Sequence, residues 1–219
     1  MSRVDLRLYA LVDPDNAGGR ELDDLAELVV RGGATLVQLR DKHGATGVMV
    51  ERARSLKAVL APFGVPLLIN DRVDVALACG AEGVHVGQTD MAVADARRLL
   101  GRKALIGLSI KTVEQAQAAP LDLLDYVGIG GVFTTTSKQT AAAPIGIDGF
   151  ARVAGIIRSR AQDFPVCAIA GITIKNASET IAAGADGVAV IAALSLAPDP
   201  KAAAAKMRSV VDGALARRR

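Results

Sequence analysis

Short apolar runs rich in Val, Ile and Leu recur along the chain, and longer stretches whose apolar residues return every three or four positions lie between them. A short run bounded by turn residues signals a strand, and the longer period signals a helix. The pattern predicts strands at Leu8–Val12, Thr35–Leu39, Pro66–Asn70, Gly83–Val86, Leu105–Leu108, Asp125–Ile129, Pro165–Ile169 and Gly187–Ile191. It predicts helices over residues 21–31, 46–61, 73–79, 93–100, 112–119, 148–161 and 175–183, with an eighth over 199–216 after the last strand. Strands and helices alternate strictly.

The strand runs are apolar at consecutive positions rather than alternate ones. Both faces are therefore covered, as in a parallel sheet beneath helices. Gly32-Gly33, Gly80 and Gly184 each stand between a helix and the next strand, where glycine permits a left-handed cap and a tight turn. The phrase Gly80-Ala81-Glu82-Gly83-Val84 returns as Gly184-Ala185-Asp186-Gly187-Val188; a half-barrel repeat or shared turn chemistry accounts for it. Eight βα units in 219 residues fit a (β/α)8 TIM barrel, expected to form one catalytic domain over residues 1–219. The alternative is an open doubly wound sheet, but no Gly-x-Gly-x-x-Gly turn follows the first strand.

Composition narrows the function. With 51% apolar residues the chain is not intrinsically disordered. The net charge of +3 owes much to Lys206, Arg208 and Arg217 to Arg219 at the carboxyl end, and four Phe and two Tyr offer little for base stacking, so no nucleic-acid partner is expected. No 18-residue apolar stretch free of charge and no signal-peptide core is present, which points away from membranes and toward the cytoplasm. Cys79 and Cys167 lie in apolar runs and read as buried thiols. The composition leaves room for a homo-oligomer.

In such barrels the residues at the carboxyl ends of the strands face the catalytic mouth. Those positions hold Gln38-Leu39-Arg40-Asp41-Lys42 after strand two, Asn70-Asp71-Arg72 after strand three and His85 to Asp90 around the end of strand four. Ser109 and Lys111 follow strand five, and the loop from Gly130 to Lys138 follows strand six. Gly171 follows strand seven, and Ile191-Ala192 closes strand eight. Arg40, Lys42 and Lys138 put three cations on one rim, while Thr134 to Ser137 supply hydroxyl and backbone donors. Asp71 and Asp90 stand on adjacent strands beside Asn70 and Gln88; a few carboxylates together with substrate phosphates are how Mg²⁺ is usually held. Gly171 and the turn after strand eight occupy the customary phosphate corner of this fold. Taken singly, each has a plainer reading: Asp71 and Asp90 as helix caps, Arg40 and Lys42 as solvated charges, His85 as a packed barrel histidine. Complementary groups at five strand ends together favour a site for small phosphorylated molecules.

At these residues the chain resembles the thiamine phosphate synthase family, over almost its whole length. The resemblance rests on Val37 to Lys42, Leu68 to Asp74, Gly83 to Met91, Ile106 to Ser109, Thr135 to Lys138 and Gly187 to Ile191. It implies a transferase that joins a hydroxymethylpyrimidine diphosphate to a thiazole phosphate and releases pyrophosphate, with Mg²⁺ as cofactor. It further implies that Gln38, Leu39, Arg40, Asp41, Lys42, Asn70, Ser109 and Lys138 bind the pyrimidine diphosphate, with Arg40, Lys42, Ser109 and Lys138 assisting catalysis. By the same resemblance Asp71 and Asp90 are the metal ligands, while Thr135, Thr136, Ser137, Gly171, Ile191 and Ala192 receive the thiazole phosphate. Lys111, Ala170 and Ala192 depart from the family pattern, which usually has His, Gly and Ser there. Two other readings on the same barrel are a thiazole tautomerase-like isomerase, which makes no C–N bond, and a noncatalytic ligand-binding regulator.

The implied reaction is dissociative and asks mainly for leaving-group stabilisation and positioning. The loop carrying Lys138 is then expected to close over both substrates and set this cation against the departing diphosphate. Lys138→Ala should slow C–N bond formation far more than it weakens thiazole-phosphate binding, and Lys138→Arg should restore only part of the rate. Single-turnover kinetics check this; an unchanged chemical step with only a raised dissociation constant would contradict it.

Overall fold

The computed structural model describes residues 4–135 and 143–218. Strands β1 (Leu8–Val12), β2 (Leu36–Leu39), β3 (Leu67–Asn70), β4 (Gly83–Val86), β5 (Leu105–Ile110), β6 (Tyr126–Ile129), β7 (Val166–Ile169) and β8 (Gly187–Val190) close in sequence order into a barrel. Every neighbouring pair is parallel, including β8 against β1. Around them run α1 (Leu22–Arg31), α2 (Thr46–Leu60), α3 (Val73–Cys79), α4 (Val93–Leu100), α5 (Val113–Ala118), α6 (Gly146–Arg160), α7 (Ala177–Ala182), α8 (Ala192–Ser195) and α9 (Pro200–Arg218). The expected TIM barrel is thus present; most element ends shift by one or two residues, and two of the differences bear on the site. β5 continues to Ile110, so Ser109 lies within the strand, and Ile191 caps a four-residue helix, α8, instead of extending β8. Four residues are barely one turn, too short to display a helical period.

Alternation along each strand divides the apolar residues between two cores. Leu8, Ala10 and Val12 of β1, Val37 and Leu39 of β2, and Val166 and Ala168 of β7 pack outward beneath the helices. Tyr9, Leu36, Leu68, Tyr126, Cys167 and Ala189 have the opposite parity and meet inside the barrel. Each fully buried Leu or Val contributes about 1.5–3 kcal/mol. Nearer the mouth, the inward positions become Gln38, Asn70, His85 and Ser109. The barrel therefore has an apolar floor and a polar opening.

The amino-terminal end of the barrel is tied by a contact that recurs every two strands. Glu82, just before β4, accepts the Leu67 N–H of β3 at 2.8 Å and pairs with Lys57 of α2 at 3.0 Å. Asp125, before β6, accepts the Ile106 N–H of β5 at 2.8 Å and pairs with Arg97 of α4 at 2.7 Å. Asp186, before β8, accepts the Val166 N–H of β7 at 2.9 Å and pairs with Arg158 of α6 at 2.6 Å. Thr35, before β2, does the same for Leu8 of β1 through its hydroxyl, at 3.1 Å. The repeated Gly-Ala-acid-Gly phrase thus encodes two of four equivalent ties. Asp186→Ala takes the carboxylate from a strand amide and from two guanidinium groups, those of Arg158 and Arg218, so a loss of about 2 kcal/mol is expected in denaturant unfolding. Activity of the folded fraction should be unchanged.

Seven of the eight strand contacts join consecutive strands through a covalent βα connection; β8–β1 does not. Helix α9 spans that seam, packing on α7, α1 and β1 with Ala204, Met207, Val211 and Ala214 buried. Its fit on α1 is close enough that a Cβ at Gly32 would lie 2.6 Å from the Ala204 Cβ. Arg208 donates to the Gly33 carbonyl at 2.8 Å, and Arg218 to those of Ala185 at 2.6 Å and Ile181 at 3.2 Å.

Candidate active site

A cavity of about 580 Å³ opens at the carboxyl ends of the strands, and all eight strand ends contribute to its wall. Gln38, Arg40 and Lys42 line it because they share the inward parity of β2. Leu39 and Asp41 have the other parity and do not line it. Leu39 packs in the outer core, so its side chain does not reach the cavity. Asp41 turns toward its own loop, accepting the Gly44 and His43 N–H groups at 2.7 and 3.2 Å and Arg52 of α2 at 2.5 Å. Burial alone would push the Asp41 carboxyl up, but these donors outweigh it and hold it low. Asp41 therefore shapes the loop that carries Lys42.

Arg40 is not a solvated charge. Only 13% of its side chain is exposed, and it is ion-paired with Asp13, whose side chain is 1% exposed. Asp13 directly follows β1 and also accepts the Asp15 N–H at 2.9 Å, capping the turn Pro14–Asn16. Applied to strand one, the strand-end rule points to this residue, which is not among the mouth residues expected from strands two to eight.

Asp71 sits at φ 61°, a left-handed conformation rarely taken by residues other than glycine, with its N–H on the His85 carbonyl at 2.8 Å. It is no helix cap: Arg72 holds the cap position of α3 and pairs with Asp74. Nor does Asp90 cap α4, which begins after Ala92. The Asp90 carboxylate accepts the Gly87 N–H at 2.7 Å and approaches Asp71, which is ion-paired with Lys42. Burial and the facing Asp71 carboxylate push the Asp90 carboxyl up, against the Gly87 N–H and Lys42. Two carboxylates forced together beside a polar cavity form an all-oxygen donor set suited to a hard divalent cation. No group of three or more His, Cys, Asp or Glu able to hold a metal occurs among the described residues. Two carboxylates alone are the kind of donor set that Mg²⁺ takes, since it ordinarily completes its shell with water and phosphate oxygens.

Across the mouth, Ser109 hydrogen-bonds His85, which also bonds Tyr126 and is packed in the barrel as expected. Lys111, absent from the expected contacts, lines the cavity and donates to the Ala143 carbonyl at 3.0 Å. Its own N–H is held at 2.6 Å by Gln115, a member of the capping box that starts α5. Asn70 and Gln38 each bury one side-chain polar atom, Nδ2 and Oε1 respectively, that has no partner among the described residues. Thr135 stands on the rim, whereas Thr136, Ser137 and Lys138 lie outside the described residues.

Gly171, at φ 67°, lies at the phosphate corner with Phe133 only 2.6 Å from where a Cβ would be. Asn176 ties the turn, donating to the Gly171 carbonyl at 3.0 Å and accepting the Thr173 N–H at 2.7 Å. Beside it, Ile191, Ala192 and Ala193 bring the first turn of α8 to the cavity. The first N–H groups of a helix have no partner within it.

Fold and site together define a (β/α)8 barrel with a cationic, carboxylate-bearing mouth shaped for phosphorylated small molecules. The family model described as thiamine monophosphate synthase matches residues 8–194. The thiamine-phosphate synthase of Agrobacterium fabrum is 48% identical over 215 residues, covering 98% of each chain. That of Albidiferax ferrireducens is 48% identical over 208 residues, covering 94% of this chain and 92% of its own. Among solved structures, thiamine phosphate pyrophosphorylase from Pyrococcus furiosus superposes with a TM-score of 0.85 at 33% identity, covering 97% of this chain and 98% of its own. The chain belongs to the thiamine monophosphate synthase family.

Proposed function

We propose that this chain condenses 4-amino-2-methyl-5-hydroxymethylpyrimidine diphosphate with 4-methyl-5-(2-hydroxyethyl)thiazole phosphate, giving thiamine phosphate and pyrophosphate in the cytoplasm. The observation that carries this reading is the meeting of Asp71, Asp90, Lys42 and Arg40 in one cavity opposite the Gly171–α8 corner. One end suits a diphosphate and the other a monophosphate.

Arg40 and Lys42 bind the diphosphate, and Asp71 and Asp90 would hold Mg²⁺ beside it. When bound, the ion neutralises charge on the leaving pyrophosphate. The bond between the pyrimidine methylene carbon and the diphosphate oxygen breaks with its electron pair going to oxygen. The thiazole nitrogen then donates its lone pair to that carbon. No proton need be removed from the nitrogen, so the site requires no strong general base. Gln38, Asn70 and Ser109 orient the pyrimidine, while Gly171 and the Ile191–Ala192 backbone receive the thiazole phosphate. Backbone N–H contacts at Ala192 need no side-chain hydroxyl, which accommodates the departure from Ser. Lys138 and its Thr136-Ser137 neighbours belong to this proposal on sequence grounds.

Pyrophosphate release measured with each substrate alone, with both, and with both plus a chelator tests the proposal. Release only with both substrates, abolished by chelator, is expected. Interconversion of thiazole isomers without pyrophosphate would establish an isomerase, and binding without either reaction a regulator.

A further inference from the structure

Among the described residues, three Lys and Arg side chains line the cavity, and two of them are already answered by carboxylates. Arg40 is paired with Asp13 and Lys42 with Asp71. Lys111 has no such partner. Among the described residues its ammonium donates only to the Ala143 carbonyl, at 3.0 Å. Residues 1–3, 136–142 and 219 include no Asp or Glu, so the chain holds no further carboxylate that could pair with it. Lys111 thus brings the cavity a positive charge with no ion-pair partner.

The fold sets this side chain in place from three sides. Gln115 Oε1 holds the Lys111 N–H at 2.6 Å, within the capping box that begins α5. Lys111 continues the inward parity of Ser109 at the end of β5, two residues nearer the solvent, and both line the cavity. Its stem lies across the first residues after β6: a Cβ at Gly131 would stand 2.9 Å from Lys111 Cε and 3.1 Å from Nζ. Gly131 itself is at φ 72°, so glycine suits that position twice over. Gln88 Nε2 donates to the Ser109 carbonyl at 2.8 Å, which joins this strand end to the loop carrying Asp90. Lys111 therefore stands on the wall next to the carboxylate pair.

The charges show what that wall lacks. Arg40 and Lys42 face three carboxylates, those of Asp13, Asp71 and Asp90, and a bound divalent cation would leave the group with a single positive charge in excess. A diphosphate ester carries about three negative charges at neutral pH, because the second pKa of a terminal phosphate is near 6. Its departure adds another, since the electrons of the broken C–O bond stay on oxygen. Exchanging a neutral carbonyl for a phosphate oxygen gives Lys111 a charge-assisted bond, roughly twice as strong as a neutral one.

We propose that Lys111 is a further catalytic residue: its ammonium leaves the Ala143 carbonyl for a terminal oxygen of the diphosphate and stabilises the pyrophosphate as it departs. The inference rests on the diphosphate substrate proposed above, but affinity for inorganic pyrophosphate can be read without any pyrimidine.

Lys111→Met keeps an unbranched stem beside Gly131 and removes the charge. Lys111→Gln also removes the charge but can still donate to a carbonyl, and Lys111→Arg keeps the charge. Calorimetric titration of the substrate-free protein with inorganic pyrophosphate and Mg²⁺ should show affinity about tenfold weaker in Lys111→Met and Lys111→Gln. Lys111→Arg should stay within about threefold of the unsubstituted chain, a small loss because its planar fork replaces a point charge. In single turnovers, C–N bond formation should slow by about 10²-fold in the two neutral variants, more than binding weakens, because charge on the leaving oxygen develops in the transition state. The KM for thiazole phosphate should not change. Unaltered pyrophosphate affinity and chemical rate in Lys111→Met would reduce Lys111 to a tie for Ala143 and overturn the proposal. So would a loss in Lys111→Met that Lys111→Gln does not share, or a raised KM for thiazole phosphate with pyrophosphate affinity intact. If Lys111→Met does not fold, Lys111→Gln against Lys111→Arg still decides. Absence of pyrophosphate release by the unsubstituted chain would overturn the function instead, with Lys111 still judged by the titration.

Discussion

Asp71→Asn and Asp90→Asn are each expected to lower pyrophosphate release at saturating substrate by about 10²–10³-fold while leaving the barrel folded. The several kcal/mol that a divalent cation supplies to a leaving diphosphate correspond to losses of that size. Asp90 also makes a second effect visible. Its folded pKa stands above the ordinary 3.8, through burial and the facing Asp71 carboxylate. A raised carboxyl pKa favours the fold fully below the unfolded value, and that contribution is lost as pH rises through the folded value. At neutral pH without divalent cation the ionised Asp90 therefore destabilises the protein, and Asp90→Asn should melt slightly higher than the unsubstituted chain. The gain should disappear on acidification and be offset when Mg²⁺ stabilises only the unsubstituted protein. Near-normal Mg²⁺-dependent turnover in both variants would show that the carboxylates only shape their loops.

Arg40→Leu is expected to destabilise the protein by about 3–5 kcal/mol, because it strands the buried Asp13 carboxylate, and to abolish most diphosphate affinity as well. For a chain of this size that destabilisation corresponds to a melting-temperature drop of roughly 10 °C. Asp13→Asn should be milder in both respects, since an amide still accepts from Arg40 but no longer balances its charge. The double variant separates the two roles. With both charges gone, most of the stability should return, while pyrimidine diphosphate binding stays as weak as in Arg40→Leu alone. Melting curves and the KM for the diphosphate, measured on the same three variants, give the comparison. A double variant that regained affinity would show that Arg40 merely neutralises Asp13 and does not face substrate.

The barrel was legible because its strands announce themselves as short apolar runs, and the mouth residues because they fall at fixed places on those strands. Parity made the finer distinction: Gln38, Arg40 and Lys42 reach the cavity, whereas Leu39 and Asp41, inside the same motif, face the helices. A contiguous motif does not reveal which of its members alternate inward until the strand register is known. Asp13 was hidden for a different reason. Its importance lies in a partner 27 residues away, and no local pattern marks a long-range ion pair. Tyr9 and Tyr126 read as floor residues of the inner core, and only the folded chain shows that their hydroxyls meet across the barrel. The departure at Lys111 was visible in the sequence, but its bond to Ala143 depends on how the β6–α6 connection returns to the barrel.

The β8–β1 seam has a consequence for the order in which the barrel opens. Closing any other strand pair reforms a contact between neighbours on one βα unit, whereas closing this one must bring together the two ends of the fold. Native-state hydrogen exchange should therefore find the least protected strand amides along β1 and β8, with the ladder from β3 to β6 exchanging only by global unfolding. α9 sets the height of that first opening step. Removing its last turns, with Val211, Ala214 and Arg218, should accelerate exchange at the seam selectively before it lowers the melting temperature in proportion. Because Ile191 and Ala192 directly follow β8, the same fluctuation would loosen the phosphate corner while leaving the carboxylate pair on the opposite wall in place.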